Sequence, residues 1–163
     1  MINNELAVLA EKTVLNLKEK GMTLATAESC TGGMVASYIT SVSGVSEIFE
    51  MGVVSYSSRI KNEVLGVSEQ TLSELGAVSE QTASEMANGI RKKSGADIGV
   101  SVTGVAGPLG SEGHPPGYVF IALSSVKGTF TELLNINPES REFVRESAVA
   151  AVFNMINKYI KEL

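Results

Sequence analysis

Tryptophan is absent from this chain, cysteine and histidine occur once each, and aromatic residues make up only 6% of it. The lone Cys30 excludes an internal disulfide and suits a reducing compartment. With His114 the single histidine, there is no Cys/His cluster, so neither a zinc site nor any other metal site is expected. Scarce aromatics remove the stacking platforms of single-strand nucleic-acid binders. A formal charge of −5 argues against broad contact with a phosphate backbone. Nucleic acid is therefore not an expected partner. A small phosphorylated ligand is still compatible, because a few backbone N–H groups and one or two arginines suffice to hold it. No signal-peptide block and no apolar run of about 18 residues occurs, which predicts a soluble, cytoplasmic protein with no membrane partner. Prolines number four against sixteen glycines, a balance that fits a compact α/β protein with many tight junctions. The 163 residues, 44% of them hydrophobic, suit one domain with a sizeable core.

Periodicity then lays out the elements. Leu6, Leu9, Ala10, Thr13, Val14 and Leu17 recur at helical spacing within residues 1–22, and Gly21 stops the helix. Residues 23–27 read as a first strand. A helix follows Gly33 and ends near Ser43 and Gly44. A second strand spans residues 48–56, with Met51, Val53 and Ser55 on one face and Gly52, Val54 and Tyr56 on the other. Ser57 and Ser58 open a short helical turn through Ile60, Lys61 and Leu65. The sequence Val-Ser-Glu-Gln-Thr occurs at Val67 and again at Val78, a spacing of 11 residues that is too short for a solenoid repeat. Ser68 and Ser79 read instead as helix N-caps followed by an acid in the first turn. The second of these helices runs to about Lys93, and Gly95 stops it. Residues 97–103 form a β-rich run. Residues 104–117 carry five glycines and three prolines, too many for a helix or an interior strand. Residues 118–124 and 129–136 predict an antiparallel hairpin through Lys127 and Gly128. Ser140 caps a last helix carrying Phe143, Ala150, Val152, Phe153, Ile156 and Ile160.

Three polar segments fall at the ends of predicted strands: residues 26–33, 56–61 and 103–117. A doubly wound sheet gathers the carboxyl ends of its strands on one edge, where ligands bind, so the three can converge. Within the first segment, Thr26-Ala27-Glu28-Ser29-Cys30-Thr31-Gly32-Gly33, Ser29 is a candidate nucleophile at a strand–turn–helix junction. Its ordinary alternative is a cap or turn hydroxyl. A nucleophile needs a group to take its proton. His114 lies beside two prolines, which leaves a Ser–His–Asp triad poorly supported. Lys61 can serve as base if burial keeps it neutral; its ordinary alternative is an exposed lysine. Tyr56 can relay a proton or orient the pair, or simply pack. Cys30 is a rival nucleophile, although a small buried residue is the commoner fate of a lone thiol. Thr103-Gly104-Val105-Ala106-Gly107-Pro108 suits close backbone approach to a ligand, yet completes neither a Walker loop nor a dinucleotide fingerprint. Arg141 and Arg145, four apart, project from one face of the last helix.

The first segment, the stretch from Tyr56 to Lys61, and the Thr103–Pro108 run with Gly117 downstream together resemble the CinA C-terminal domain, over nearly the whole chain. That family includes stand-alone nicotinamide-nucleotide amidases. The resemblance implies a single-domain three-layer α/β/α sandwich with a mixed, mostly parallel sheet, often a homodimer. It implies hydrolysis of nicotinamide mononucleotide to nicotinate mononucleotide and ammonia, without a cofactor, in pyridine-nucleotide recycling. The family's serine, lysine and tyrosine fall on Ser29, Lys61 and Tyr56. Cys30, Thr31, Gly32, Gly33, Thr103, Gly104 and Arg145 are expected near the substrate, with N–H groups of residues 31–33 facing the oxyanion and Thr103, Gly104 and Arg145 facing the phosphate. Arg141 matches a position often basic in the family. Two departures stand out. The loop reads His114-Pro115-Pro116-Gly117 where a Lys-Pro-Val-Gly type sequence is usual. The N-terminal domain of longer members is also absent from this sequence, and its activity is not expected here. The rival expectation is a non-catalytic module that binds a pyridine nucleotide or another small phosphorylated ligand.

Overall fold

A computed structural model of the chain describes residues 2–163, so Met1, the first residue of the expected N-terminal helix, lies outside the described residues. In chain order the elements are α1 (Ile2–Lys20), β1 (Leu24–Glu28), α2 (Met34–Thr40), β2 (Phe49–Val54), α3 (Ser58–Leu65), α4 (Glu69–Leu75), α5 (Glu80–Ser94), β3 (Ile98–Gly104), β4 (Tyr118–Ser125), β5 (Gly128–Asn135) and α6 (Arg141–Lys161). The strands form one sheet in the order β2-β1-β3-β4-β5. β1 pairs in parallel with both β2 and β3, whereas β4 runs antiparallel to β3 and β5. Four strands therefore point one way and β4 the other.

The sheet is the middle of three layers, and alternation along β1 explains why. Leu24 faces the core shared with Val14, Val35, Ile39, Val149 and Phe153 from α1, α2 and α6. Ala25 and Ala27 face Leu65, Met86 and Ile90 from α3 and α5 on the other side. All five residues of β1 are buried. Burial of each such apolar side chain contributes roughly 1.5–3 kcal/mol.

Several expected boundaries move, each for a local reason. Thr23 lies outside β1, because its N–H and its hydroxyl both donate to the Asp97 carboxylate (2.8 and 3.0 Å), while the Asp97 N–H donates back to the Thr23 hydroxyl. That reciprocal pair staples the entries of β1 and β3. Glu28 instead belongs to the strand, paired with Val54 and Val102. β2 stops at Val54; Ser55 keeps one main-chain bond to Glu28, and the chain then turns through Tyr56 to Ser57, which caps α3. Ser68, Ser79 and Ser140 each accept a bond from the N–H three residues on, as the capping pattern requires. The hairpin turn is Val126–Lys127 rather than Lys127–Gly128, and β5 begins at Gly128. Among the described residues no helix is long and apolar enough to cross a membrane.

Candidate active site

Ser29 follows the last residue of β1, the strand flanked by parallel partners on both sides. Its N–H donates to Val102 O (2.9 Å), and the Ser55 N–H donates to Glu28 O (2.8 Å), so both ladders run past the end of the strand. The chain then reverses. Gly32 N–H donates to Ser29 O (3.0 Å), closing a turn whose central residues are Cys30 and Thr31. Gly32 and Gly33 take φ of 61° and 93°, values open to glycine at little cost, and α2 begins at once.

The start of α2 is already occupied. Glu28, 1% exposed, accepts from the Thr31 hydroxyl (2.6 Å) and from the N–H groups of Gly33 (3.1 Å), Val35 (3.0 Å) and Ala36 (2.9 Å). A carboxylate at the positive end of a helix is stabilised there, and it replaces the side-chain cap that Gly33 lacks. The expectation that N–H groups of residues 31–33 face an oxyanion is corrected for two of the three. The Gly33 N–H is spent on Glu28 and the Gly32 N–H on Ser29 O.

Lys61 reaches Ser29 from α3. It is 0% exposed, and its Nζ lies 2.9 Å from Ser29 Oγ, 2.7 Å from Ser55 O and 3.3 Å from Tyr56 O. Burial pushes its pKa down to about 8, against smaller opposing pulls from Cys30 and Glu112. The two carbonyls can only accept, so they take two N–H bonds of the amine. In the neutral amine the remaining position is a lone pair directed at the Ser29 hydroxyl. The position of α3 is itself fixed by close packing: a Cβ on Gly89 of α5 would lie 1.8 Å from Leu65 O, so only glycine lets the two helices approach this far.

A cleft of about 300 Å³ opens at this edge of the sheet, and Ser29, Cys30, Tyr56, Lys61, Thr103, Gly104, Glu112 and Arg141 are among the residues that line it. The cleft lies between the ends of β1 and β3, where the strand order reverses direction, the position at which α/β sheets bind ligands. Cys30 is 6% exposed, and burial above all pushes its thiol up to about 11, so it is not a thiolate near neutral pH. Tyr56 contributes two different things. Its carbonyl holds Lys61, while its ring is exposed and its hydroxyl accepts from Arg141 (3.1 Å). The Thr103 hydroxyl donates to Ala77 O (2.6 Å).

Thr31, Gly32, Gly33 and Arg145 are not among the lining residues. Arg145 instead donates to Cys30 O (3.1 Å) and Thr31 O (2.9 Å), behind the turn. Arg141, one helical turn earlier, is the arginine that reaches the cleft, with a further bond to Gly107 O (2.6 Å). His114 stacks on Tyr118 with ring centroids 4.2 Å apart and does not line the cleft, so no serine–histidine pair forms. Sequence reasoning gave Glu28 and Glu112 no part. Glu112 holds the N–H groups of Ala77 and Val78 (3.2 and 3.1 Å) from a residue with φ of 53°. Neither has a sequence signal: Glu28 caps a helix from six residues before its start, outside any capping pattern. Among the described residues no group of three or more His, Cys, Asp or Glu side chains is placed to hold a metal ion.

The profile of a family described as the CinA C-terminal domain matches residues 6–160. A relative from Acetivibrio thermocellus, named a competence-damage inducible protein, is 42% identical over 99% of this chain. One of the same name from Streptococcus pneumoniae is 46% identical over 92% of it. The chain spans only 38% and 36% of the lengths of these two relatives. Among solved structures, a CinA superfamily protein from Klebsiella pneumoniae superposes with a TM-score of 0.94 at 32% identity, covering 97% of this chain and 99% of that one. A competence/damage inducible protein from Agrobacterium tumefaciens gives 0.90 at 35% identity, with 94% of each chain covered.

Proposed function

The chain belongs to the CinA C-terminal domain family, and on that premise we propose that it is an amidohydrolase that converts nicotinamide mononucleotide to nicotinate mononucleotide and ammonia. The observation that carries this reading is the buried amine of Lys61 at 2.9 Å from the Ser29 hydroxyl, with its two other partners both uncharged carbonyl oxygens. An amine in that setting is a base rather than a counter-ion.

Ser29 Oγ attacks the carboxamide carbon, and its proton passes to Lys61 Nζ. The carbonyl oxygen becomes an oxyanion. Its collapse expels ammonia, which leaves with the proton returned by Lys61, and an ester to Ser29 remains. Water attacks that ester, giving its proton to Lys61, and nicotinate mononucleotide is released as Ser29 regains its own. Tyr56 orients Lys61 through its carbonyl, and its ring forms part of the cleft wall. Arg141, with Thr103 and Gly104 beside it, takes the ribose phosphate. These steps need no cofactor. A homodimer belongs to the same proposal, and sedimentation reads it directly.

Ser29→Ala and Lys61→Ala, each shown to be folded by circular dichroism, are expected to lose ammonia release from nicotinamide mononucleotide, whereas Cys30→Ala retains it. Full activity in either of the first two variants ends the proposal. Loss in Cys30→Ala alone moves the nucleophile by one residue. Thermal stabilisation of the unaltered protein by the nucleotide with no ammonia released marks a binding module instead.

A further inference from the structure

We propose that Glu112 is a specificity-determining residue, whose carboxylate meets the positively charged pyridinium ring of the nucleotide and selects that ring over a neutral one. The inference rests on the reading of the ligand as a nicotinamide nucleotide. It adds which feature of that ligand the protein distinguishes.

Charge in the cleft is sparse and of both signs. Of the residues that line it, only Lys61, Glu112 and Arg141 are lysine, arginine, aspartate or glutamate. Lys61 is the buried amine that faces Ser29, which leaves one anion and one cation to meet a ligand. Nicotinamide mononucleotide carries charge in the same way. Its ring nitrogen is positive because it is bonded to the ribose, and its phosphate is negative. With Arg141 on the phosphate, Glu112 is the one lining side chain that complements the ring. Opposite charges arranged like this give discrimination more than raw affinity.

The carboxylate is also held in place. Glu112 Oε1 accepts from the Ala77 N–H (3.2 Å) and Oε2 from the Val78 N–H (3.1 Å), and both of those residues line the cleft. One donor on each oxygen fixes the carboxylate plane, and each oxygen keeps further acceptor capacity. Gly76 leaves the room for it, since a Cβ there would lie 2.6 Å from Oε2. The charge reaches the reacting centre: burial lowers the pKa of Lys61, and Glu112 is one of the groups that pull it back up.

Tying down a loop does not by itself account for a glutamate here. Glu112 is the one non-glycine residue among those described that takes a positive φ, 53°, a conformation more open to glycine, asparagine or aspartate. A carboxylate near Lys61 also favours the ammonium, the form that cannot accept a proton. A neutral acceptor would hold the same two N–H groups without that opposition. Both penalties make sense if the negative charge has a ligand of its own to meet.

The test measures binding by calorimetry to the Ser29→Ala protein, which does not consume the ligand. Two ligands are compared: nicotinamide mononucleotide and its reduced 1,4-dihydropyridine form, which share the ribose phosphate and the amide but differ in ring charge. With Glu112 in place, the cationic form is expected to bind roughly tenfold more tightly. That factor lies between the bulk-water and protein-surface limits for unit charges about 4 Å apart, as suits an exposed carboxylate. Glu112→Gln is expected to abolish the preference by weakening the cationic form alone, and Glu112→Asp to keep part of it. The ratio of the two affinities is also expected to shrink between about 0.05 and about 0.5 M salt, because the shared phosphate cancels. This salt series uses an unaltered loop and carries the test should Glu112→Gln not fold. A preference that survives Glu112→Gln or ignores salt, equal weakening of both ligands, or no preference at all overturns the proposal. Preferential binding with no ammonia released by the protein that retains Ser29 refutes only the hydrolytic reading. If neither nucleotide binds, the ligand falls and the duty of Glu112 falls with it.

Discussion

In the proposed reaction, Lys61 sets the pH at which the site works. A base acts in its unprotonated form, and burial brings the pKa of this amine down to about 8. Below that value the neutral fraction falls tenfold per pH unit, and above it the fraction levels off. The expected profile of kcat/KM for ammonia release therefore climbs by about fifty-fold from pH 6 to pH 8 and flattens beyond. A flat profile between pH 6 and 9 would show that Lys61 is not the group that takes the proton. Ser29 and Lys61 were candidates in the sequence, each with an ordinary alternative that only the family resemblance set aside, and the structure brings the two within 2.9 Å. The contacts of Tyr56 and Arg145 were not legible there. The Tyr56 contact to Lys61 runs through a carbonyl that every residue type carries, and Arg145 binds carbonyls more than a hundred positions away in the chain.

At the scale of elements, the meeting of Ser29 and Lys61 depends on α3 lying hard against α5. Gly89→Ala places a methyl 1.8 Å from the main-chain oxygen of Leu65, and backbone cannot yield there as a flexible side chain would. The helix must move outward, and Lys61, one turn before Leu65, moves with it. The expected cost is roughly 1–3 kcal/mol of stability from overpacking and about 100-fold in kcat for a displacement near 1 Å. Thermal unfolding and ammonia release measure the two separately; full activity in this variant would show that the contact does not place Lys61. Serine caps and helix faces were readable because they are local, as Ser68, Ser79 and Ser140 confirm. The ends of the strands were less so. Whether Thr23 joins β1 is decided by Asp97, and whether Glu28 does is decided by strands on both sides.

For the molecule as a whole, the succession of helices and strands followed from alternating periods and the layered plan from the family resemblance, but the order β2-β1-β3-β4-β5 did not, because no residue pattern states which strands are neighbours. That order is what puts the end of β1 beside the end of β3 and opens the cleft where Ser29 lies. The single cysteine, Cys30, is 6% exposed beside that cleft. With the thiol buried and its pKa raised to about 11, iodoacetamide finds almost no thiolate at pH 8 while the fold is intact. Alkylation of Cys30 should accordingly be slow in buffer and accelerate with urea in step with loss of helical signal; fast, urea-independent alkylation would show that the turn opens by itself. A residue adjoining Ser29 thus serves as an internal clock of global opening, needing no added label.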